Sequence, residues 1–468
     1  MEKDQQDRII VVSNRLPLKV QKDGDSYTYA PTSGGLVTGL KCAKESMDFL
    51  WLGCLSGIPE SDREEVSKKC AEDFGFFPVF IEADLYEKYY NRMCNGVLWP
   101  LFHSFSDLAA YSIEDYIAYK QVNAIFTREI LKIARDGDKI WIHDYHLMLV
   151  PKMLRESSKG SDVKIGFFLH IPFPCHSLLS GFSLSQALIR GILGSDLVGF
   201  HAFEDVGNFA SASGMLGCVI SSPFIVERDG RSVHIEVFPI GIDPTLFLRE
   251  CLKESTKKRV QELKQKFENK KILLGVDRID YIKGIPHRIK AFSKMLKEHP
   301  ELAKDVVFFQ LGVPSRMDMP VYAALARTLC SLSGEANSKR GSIEETNIYF
   351  INKSVPFSEL CALYMAADVC VISSLRDGLN LVSLEYVACS GSGALVMSEY
   401  AGAAGMLVGA VYVNPWDITS LSRGYIRALN MPEEERIERK TSMQRVVSKY
   451  TAVHWAQRFI GTLKTLGS

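Results

Sequence analysis

Short apolar runs, each followed by polar or titratable residues, recur along the whole chain and constrain its fold more than any other feature. Helical patterns separate these runs, so the order is strand, helix, strand. Alternation of this kind predicts parallel sheets with helices on both faces. The predicted strands are residues 9–12, 78–81, 139–142, 165–169, 197–200 and 233–238 in the first half, and 272–276, 306–309, 348–351, 369–372, 394–397 and 411–413 in the second.

The alternation stops and restarts once, which indicates two domains. The charged segment 254–271 separates the two series, and its single apolar stripe predicts an amphipathic surface helix. A chain of 468 residues also exceeds one ordinary core. We therefore predict an α/β protein with two Rossmann-like, doubly wound domains, residues 1–244 and 245–450, followed by a helix with an apolar stripe at 451–468.

The composition limits the classes of partner and the location. Lys plus Arg and Asp plus Glu number 55 each, so the net charge is zero and we expect no nucleic-acid partner. The N-terminal residues are polar, which argues against a secretory leader, and the apolar segment 394–413 is rich in glycine and contains Glu399. Eleven cysteines without a Cys-x-x-Cys pair are typical of reduced proteins. We expect a cytoplasmic protein without a membrane partner.

Residues 374–385, SLRDGLNLVSLE, connect a predicted buried strand to a predicted helix. The loop offers free backbone N–H groups and the positive end of a helix dipole, which favours an anion such as phosphate. Glu385 would lie one turn into the helix, where its carboxylate can accept hydrogen bonds from hydroxyl groups. An ordinary strand–helix turn remains an open alternative from these residues alone.

Three cations follow predicted strands of the second half. Arg278 and Lys283 share one loop and are suited to neutralising a diphosphate, and Arg316 follows the next strand. In the first half, Gly34 and Gly35 precede a predicted helix and would let backbone approach a ligand closely. Surface ion pairs and a simple glycine turn are the alternatives that the residues leave open.

Titratable residues also follow two strands of the first half. The segment 143–146, His-Asp-Tyr-His, follows one strand, and His170 follows the next. Residues just beyond the carboxyl ends of parallel strands occupy the usual ligand position of open α/β sheets. A metal site is one interpretation, but neighbouring ligands within one loop rarely converge. We favour a carboxylate, that of Asp144, that accepts hydrogen bonds from sugar hydroxyls. We expect the ligands in a cleft between two facing domains.

Eight motifs in order resemble one family closely. They are SNRLP with SGGLVTGL, YYN…VLWPLFH, WIHDYHLMLVPKML, GFFLHIPFP, GFHAF, VFPIGIDP, GVDRIDYIKGI and SLRDGLNLVSLEYVAC, and SEYAGAAGML with VNPWD extends the match. The family is the retaining glucosyltransferases that make trehalose 6-phosphate from UDP-glucose and glucose 6-phosphate. The resemblance implies the glycosyltransferase-B fold, a C-terminal domain that binds the nucleotide sugar, a last helix that crosses back to the N-terminal domain, and a reaction without metal or other cofactor.

The resemblance also implies a set of donor-binding residues. Arg278 and Lys283 would hold the diphosphate, Glu385 the ribose hydroxyls, and Asp377 the transferred glucose. Val355 matches the position that flanks the base. Backbone contacts to the diphosphate or the donor glucose are implied for Gly34, Gly35, Gly378, Leu379, Asn380, Leu381 and Val382.

Acceptor-binding and catalytic residues follow from the same resemblance. Arg15, Tyr90 and Arg316 would bind the 6-phosphate, and Trp99 and Asp144 would contact the acceptor glucose. Trp99 and His170 match positions associated with the α outcome. The residues implied to be catalytic are Asp144, His170, Arg278, Lys283 and Asp377. Front-face transfer with retention is implied, and a short-lived covalent intermediate remains open.

The motifs depart from the family at two places. Residues 175–179, Cys-His-Ser-Leu-Leu, replace a small-small-acid run, and Asn208 stands where a histidine is common. Two other functions remain open: a non-catalytic regulatory subunit, and a glucosyltransferase with another phosphorylated acceptor. The expected partners are UDP-glucose and glucose 6-phosphate, with a homo-oligomer or a complex with a trehalose-phosphate phosphatase as further possibilities.

Overall fold

The computed structural model describes residues 8–24, 26–32, 34–157, 162–338 and 346–466. These residues form two compact units. The first unit contains the described residues up to Ile240 together with those from Ala452 onward, and the second contains Gly241–Thr451.

The described part of the first unit contains one large sheet and a separate hairpin. Its strands are β1 (Ile9–Arg15), β2 (Leu18–Asp23), β3 (Ser26–Pro31), β4 (Leu50–Cys54), β5 (Phe76–Val79), β6 (Lys139–His143), β7 (Lys164–Phe168), β8 (Leu197–Phe200), β9 (Val219–Ser222), β10 (Ile225–Arg228) and β11 (Arg231–Val237). The order in the sheet is β5-β4-β1-β6-β7-β8-β11-β10-β9, and β2 pairs with β3 in the hairpin. The strands from β5 to β11 are parallel.

The strands of the first unit differ from the expectation in three ways. The sequence patterns missed β4 and the hairpin of β2 and β3, and the edge formed by β10 and β9 is antiparallel. The turn from β10 to β11 is Asp229-Gly230, and both residues have positive φ angles of 52° and 74°. A two-residue Asp-Gly loop favours a type I′ hairpin. The dipeptide was therefore a readable signal for an antiparallel edge.

Helices flank the sheet between its strands. Those of the first unit up to Ile240 are α1 (Gly35–Ser46), α2 (Arg63–Phe74), α3 (Ala83–Tyr86), α4 (Trp99–Phe102), α5 (Ile113–Ile133), α6 (Val150–Ser157), α7 (His176–Ser180), α8 (Ser185–Ile192) and α9 (Phe203–Gly214). A π-helical segment, Glu87–Leu98, joins α3 to α4. Such winding is rare and is frequent at functional sites.

The described part of the second unit contains one fully parallel sheet. Its strands are β12 (Lys271–Arg278), β13 (Val306–Val313), β14 (Ile348–Ile351), β15 (Val369–Ile372), β16 (Ala394–Ser398) and β17 (Val411–Val413). The order is β14-β13-β12-β15-β16-β17. Counted within the unit, this is 3-2-1-4-5-6, the order of the Rossmann fold. The sequence prediction of a parallel Rossmann-like sheet is confirmed here.

The helices of the second unit precede, separate and follow these strands, and the last helix of the chain comes after them. They are α10 (Pro244–Leu252), α11 (Glu254–Lys266), α12 (Ile285–Glu298), α13 (Pro320–Ser338), α14 (Phe357–Ala366), α15 (Leu381–Cys389), α16 (Ile418–Leu429), α17 (Glu433–Lys449) and then α18 (Ala452–Thr465). The helix predicted over 254–271 ends at Lys266, because Lys271 already pairs with Val306 in the sheet.

The apolar stripe of α18 packs on the sheet of the first unit. The ring of Trp141 in β6 lies 4.7 Å from that of Trp455 and stacks at 4.8 Å on Phe459. Gly166 in β7 makes room for this contact, because a Cβ atom there would lie 2.6 Å from the Phe459 ring. No helix among the described residues has the length and apolar character needed to cross a membrane.

Candidate active site

Each sheet has a switch point, where the strand order reverses and a crevice opens for ligands. The switch point lies between β1 and β6 in the first unit and between β12 and β15 in the second. Arg15 ends β1, and Asp144 follows β6. Arg278 ends β12, and the loop of residues 373–380 follows β15. The sequence-predicted residues therefore concentrate at both switch points.

The 373–380 loop is held by backbone hydrogen bonds and leads directly into α15. The Asp377 N–H donates to the Tyr400 carbonyl at 3.1 Å, and the Ala403 N–H donates to the Leu379 carbonyl at 2.9 Å. Gly402 allows this close approach, since a Cβ atom there would lie 1.8 Å from the Gly378 carbonyl oxygen. The loop is therefore fixed before any ligand binds.

Asn380 caps α15 and leaves the first turn of the helix available for an anion. Its Oδ1 accepts a hydrogen bond from the Ser383 N–H at 3.1 Å, and its φ angle is 78°. Leu381 and Val382 are the first two residues of the helix, where backbone N–H groups have no intrahelical acceptor. A helix start of this kind favours an anion, and its binding of a phosphate stays a prediction.

Lys283 and Asp377, two predicted donor-site residues, form an ion pair. The Lys283 Nζ atom lies 2.6 Å from Asp377 Oδ2, and the two side chains are 12% and 10% exposed. Ser374 Oγ and Asn380 Nδ2 donate to the same oxygen at 3.0 and 3.1 Å. Because an ammonium has three N–H donors, Lys283 can contact this carboxylate and a ligand oxygen together.

Beneath this pair lies a buried charge network that the sequence patterns missed. Arg288 of α12 has no exposed surface. Its guanidinium donates to Asp277 at 2.7 Å, to Gln310 at 3.0 Å and to Ser373 Oγ at 3.0 Å. Burial raises the pKa of Asp277, and the charge of Arg288 opposes that rise. The network joins β12, β13 and the 373–380 loop.

Glu385 is positioned by a neighbour from another helix. The hydroxyl of Tyr364 in α14 donates to Glu385 Oε2 at 2.8 Å, and the Tyr364 side chain is fully buried. Desolvation raises the pKa of the Glu385 carboxyl, and the hydrogen bond from Tyr364 lowers it. Tyr364 was not among the predicted residues, because a tyrosine within an apolar helix is more often part of a core.

The remaining predicted residues of the second unit are Arg278 and Val355 of the donor set and Arg316 of the acceptor set. Arg278 is exposed at the strand end, and Val355 is half-buried between β14 and α14. Arg316 has a φ angle of 52° and donates to the Tyr322 hydroxyl at 2.7 Å. It also lies 3.8 Å from an oxygen of Asp280. Arg316 thus belongs to the second unit, whereas its predicted acceptor partners belong to the first.

In the first unit, Arg15 and Tyr90 are brought together by stacking. The Arg15 guanidinium lies over the Tyr90 ring at 4.4 Å, and its Nε donates to the Tyr86 hydroxyl at 2.9 Å. The Tyr90 ring is flanked by the rings of Tyr86 at 5.1 Å and His146 at 5.7 Å. Burial raises the pKa of Tyr86. Tyr86 is a further residue that the sequence patterns missed.

Asp144 and His170 also meet at this switch point. The backbone N–H of His170 donates to Asp144 Oδ1 at 3.2 Å, and the ring atom His170 Nε2 lies 3.1 Å from His143 Nδ1. Burial lowers the pKa of His143 to about 3. Burial and the neighbouring histidines also lower the pKa of His170 well below its usual range, so His170 is neutral at neutral pH. Asp144 has a positive φ of 75°, an uncommon conformation that clusters at functional sites.

Three further predicted residues lie in the first unit. Trp99 begins α4, is 7% exposed and packs on the rings of His103 and Tyr145 at 4.3 and 5.8 Å. Gly34 and Gly35 are exposed at the start of α1, where the Gly34 carbonyl accepts from the Thr38 N–H at 2.8 Å. Of the predicted donor residues, these two glycines alone belong to the first unit.

The two departures from the family pattern lie beside the 170–174 loop. Asn208 of α9 donates to the Phe173 carbonyl at 2.9 Å, and Asp205 accepts from the Phe173 N–H at 2.8 Å. Cys175 caps the N-terminus of α7, and residues 176–179 lie within that helix. Asn208 therefore has a structural role, since its amide supports the loop that carries His170.

Residues 7–465 of the chain match the sequence family described as "Glycosyltransferase family 20". The chain belongs to glycosyltransferase family 20. It is 44% identical over 455 residues to an Encephalitozoon cuniculi alpha,alpha-trehalose-phosphate synthase [UDP-forming], with 96% of each chain covered. It is 41% identical to the 56 kDa subunit of the Saccharomyces cerevisiae enzyme of that name, over 98% of this chain and 94% of that one.

Solved structures of this family share the fold. A structure from E. coli bound with UDP-2-fluoro glucose has a TM-score of 0.87 and 31% identity, and covers 98% of this chain and 99% of that one. A Burkholderia xenovorans alpha,alpha-trehalose-phosphate synthase (UDP-forming) in complex with glucose-6-phosphate has a TM-score of 0.86 and 31% identity, over 98% and 100%. The predicted family and the predicted glycosyltransferase-B fold are both confirmed.

Proposed function

We propose that the chain transfers glucose from UDP-glucose to glucose 6-phosphate, giving α,α-trehalose 6-phosphate and UDP. The observation that carries the proposal is the donor half-site at the switch point of the second unit. There a capped helix start, the Lys283–Asp377 pair and the carboxylate of Glu385 lie at strand carboxyl ends. Groups of these kinds are chemically suited to a phosphate, a sugar and ribose hydroxyls, and this match supports the proposal.

In the donor half-site, each group would bind one part of UDP-glucose. Arg278 and Lys283 would neutralise the diphosphate, together with the N–H groups of Leu381 and Val382. Glu385 would accept hydrogen bonds from the ribose hydroxyls. Charge on the diphosphate grows as the glycosidic bond breaks, so the two cations stabilise the transition state more than the bound substrate.

In the acceptor half-site, cations and rings would select a phosphorylated sugar. Arg15 is held by Tyr86 and Tyr90, so its guanidinium is oriented before glucose 6-phosphate binds. Arg316 would be a second ligand of the 6-phosphate. A site built for a phosphate rejects the sugar that lacks it, because its charged groups would then remain unpaired.

We propose front-face transfer with retention. The bond from glucose C1 to the UDP oxygen breaks, and a bond from C1 to the acceptor hydroxyl oxygen forms on the same face. The acceptor proton moves to the departing phosphate oxygen, so no protein base is required. Asp144 would orient sugar hydroxyls, while neutral His170 beside it would contact the reacting sugar without adding charge.

The activity is tested with the purified full chain, UDP-glucose and glucose 6-phosphate. We expect UDP release coupled one-to-one to a disaccharide phosphate, with both anomeric centres α by NMR. Glucose without phosphate should be a poor acceptor. If no UDP is released with any hexose phosphate, the chain is a non-catalytic subunit; transfer only to another phosphate ester would identify a different acceptor.

We further propose that the transfer needs no metal or other cofactor, and that the protein acts in the cytoplasm. The cations Arg278 and Lys283 would perform the neutralisation that a divalent ion provides elsewhere. Full activity in excess chelator would support this, and restoration by Mg²⁺ of activity lost to chelator would contradict it. A homo-oligomer or a complex with a trehalose-phosphate phosphatase is tested by mass measurement in solution, alone and after mixing.

A further inference from the structure

Three cysteines from separate helices of the second unit meet in one buried group, which we call the thiol cluster. It consists of Cys251, Cys361 and Cys389, and its Sγ atoms all lie within 4.8 Å of one another. They belong to α10, α14 and α15. Among the residues that the structure describes, this is the only set of three or more His, Cys, Asp or Glu side chains whose ligand atoms converge so closely.

The spacing of the sulfur atoms suits three thiolates around one ion. With metal–sulfur bonds of about 2.3 Å, three trigonal sulfurs lie about 4 Å apart. An ion at the centre would therefore require each sulfur to move inward by about 0.5 Å at most. Cys361 is fully buried, and Cys251 and Cys389 are each 7% exposed. Water is largely excluded from the cluster and competes little for the ion.

The helix α14, which carries Cys361, is held to α10 and α11 by contacts that do not involve sulfur. Phe247 of α10 packs edge-on against Phe357 of α14, with ring centroids 5.1 Å apart. Arg259 of α11 donates two hydrogen bonds to Glu359 of α14, at 2.8 and 3.0 Å. The thiols are thus brought together by packing, which lowers the entropic cost of assembling a ligand set.

The nearest acidic side chain in sequence is already engaged. The carboxylate of Glu250 accepts hydrogen bonds from Lys253 at 2.7 Å and from Thr256 at 3.1 Å. The cluster therefore presents three sulfurs and no oxygen ligand among the described residues. Soft thiolate ligands select Cu(I) and Zn²⁺ over Mg²⁺ or Ca²⁺. Three sulfurs complete a site for Cu(I), whereas structural Zn²⁺ sites usually have four ligands.

We propose that the thiol cluster binds one soft metal ion, Cu(I) or Zn²⁺, through three thiolates. Each thiol that becomes a ligand releases its proton to solvent, and no electron is transferred. The site is independent of the proposed function, because no step of glucose transfer passes through this ion.

The thiol cluster lies where a bound ion would connect three helices of the second unit. Cys389 lies four residues after Glu385 on α15, and Cys361 lies three residues before Tyr364 on α14. Each pair is about one helical turn apart and shares a helix face. A bound ion would join α10 and α14 to the helix whose first turn forms the donor half-site. We expect the unfolding midpoint to rise when the ion binds.

The test uses the full chain, reduced and stripped with chelator under anaerobic conditions. The protein is then dialysed against Zn²⁺ or Cu(I), each buffered by a competing chelator, and the metal per chain is counted by mass spectrometry. We expect one ion per chain in at least one arm, with a rise in unfolding midpoint. In the Cu(I) arm, ultraviolet charge-transfer absorption should appear with the same stoichiometry.

Alanine variants separate this site from the other thiols. Cys361→Ala and Cys389→Ala should each weaken binding at least about 100-fold, since loss of outer-sphere partners alone costs 10- to 100-fold. Cys70→Ala, at a fully buried helical cysteine of the first unit, and Cys330→Ala, at an exposed one, are controls that should keep the ion. Circular dichroism checks folding, and Cys389→Ala carries the test if Cys361→Ala does not fold.

Three results would overturn the proposal. One is the absence of stoichiometric metal in both arms. Another is equal retention of the ion by the folded cluster variants, which would place it on other thiols. The third is a disulfide between two of the three cysteines in the reduced, chelator-treated protein, because it would remove two of the ligands.

Discussion

The two half-sites occupy the same place in their sheets but are built from different interactions. At the β12/β15 switch point, charges dominate: Lys283 pairs with Asp377 above a buried Arg288 that holds Asp277. At the β1/β6 switch point, rings dominate, and Arg15 is positioned by stacking on Tyr90. Similar topology thus supports two distinct ways of holding a cation.

The difference follows from the task that each half-site is proposed to perform. A diphosphate leaving group gains charge during the reaction, so fixed charges in a partly buried site stabilise it strongly. A 6-phosphate keeps its charge throughout, so it needs orientation and selectivity instead. Stacked rings provide orientation at low entropic cost, because a tyrosine has few rotatable bonds. Variants that affect one half-site and spare the other test this contrast.

The largest expected effect is on stability, from Arg288→Met. The change leaves Asp277 buried without its partner, so we expect a loss of about 3–5 kcal/mol in the free energy of unfolding, measured with urea. Burial already raises the pKa of Asp277 above that of an unfolded chain. The carboxyl therefore binds a proton more readily in the folded state, and its contribution to stability falls as pH rises. Removal of Arg288 raises that pKa further, so Asp277 of the variant is more readily protonated at acid pH. The loss of stability caused by Arg288→Met should therefore be smaller at about pH 5 than at about pH 7.

Arg423→Met is the control for Arg288→Met. Arg423 is an exposed arginine of α16 in the same unit, so its replacement should change stability by less than about 0.5 kcal/mol. A loss below about 1 kcal/mol for Arg288→Met, or one that grows toward acid pH, would mean that buried charge does not support the donor half-site.

The second effect is on catalysis, from Lys283→Ala. Removal of the ammonium should lower kcat by about 10²- to 10³-fold, because it stabilises charge that develops only in the transition state. Steady-state kinetics with both substrates measure the change, and Lys290→Ala, at an exposed lysine of α12, is the control. A rise in the KM for UDP-glucose with kcat intact would show that Lys283 provides only ground-state binding.

The third expected effect is on the KM for one substrate and not on that for the other. Arg15→Ala and Arg316→Ala should each raise the KM for glucose 6-phosphate by about 10- to 100-fold, as expected for the loss of a charged hydrogen bond. The KM for UDP-glucose should change little. If Arg316→Ala raises both KM values equally, Arg316 belongs with the donor residues of its own unit, and the acceptor half-site is formed by the first unit alone.

The sequence predicted the sheets well, because buried parallel strands are short apolar runs that are visible without any partner. It missed β4, Leu50–Cys54, which contains no β-branched residue and includes Gly53, a residue with low strand propensity. Gly53 is required by its neighbours, since a Cβ atom there would lie 2.8 Å from the backbone of Arg15 and Leu16. Such a contact between distant segments leaves no local signal.

The same reason explains which site residues were missed. Lys283 and Asp377 lie in polar loops after strands, where a functional role can be read from position. Arg288 and Tyr364 lie in amphipathic or apolar helices and act through partners distant in sequence. Their roles depend on packing between elements, which no single stretch of sequence encodes.

The smallest expected effect, Tyr364→Phe, tests how the donor half-site is oriented. The variant keeps the ring in its buried position and removes only the hydroxyl that donates to Glu385. Loss of one hydrogen bond should raise the KM for UDP-glucose by about 3- to 10-fold, with kcat and the KM for glucose 6-phosphate nearly unchanged. Burial raises the pKa of Glu385 and this hydrogen bond lowers it, so loss of the hydrogen bond should shift the acidic limb of the pH profile of donor binding to higher pH.

Tyr386→Phe is the control, because it removes the hydroxyl of another buried tyrosine nearby in sequence. Tyr386 donates to the Ala367 carbonyl, so this variant should not shift the acidic limb. An unshifted limb in Tyr364→Phe would mean that Glu385 is held by its own helix, and the donor half-site would then owe its orientation to α15 alone.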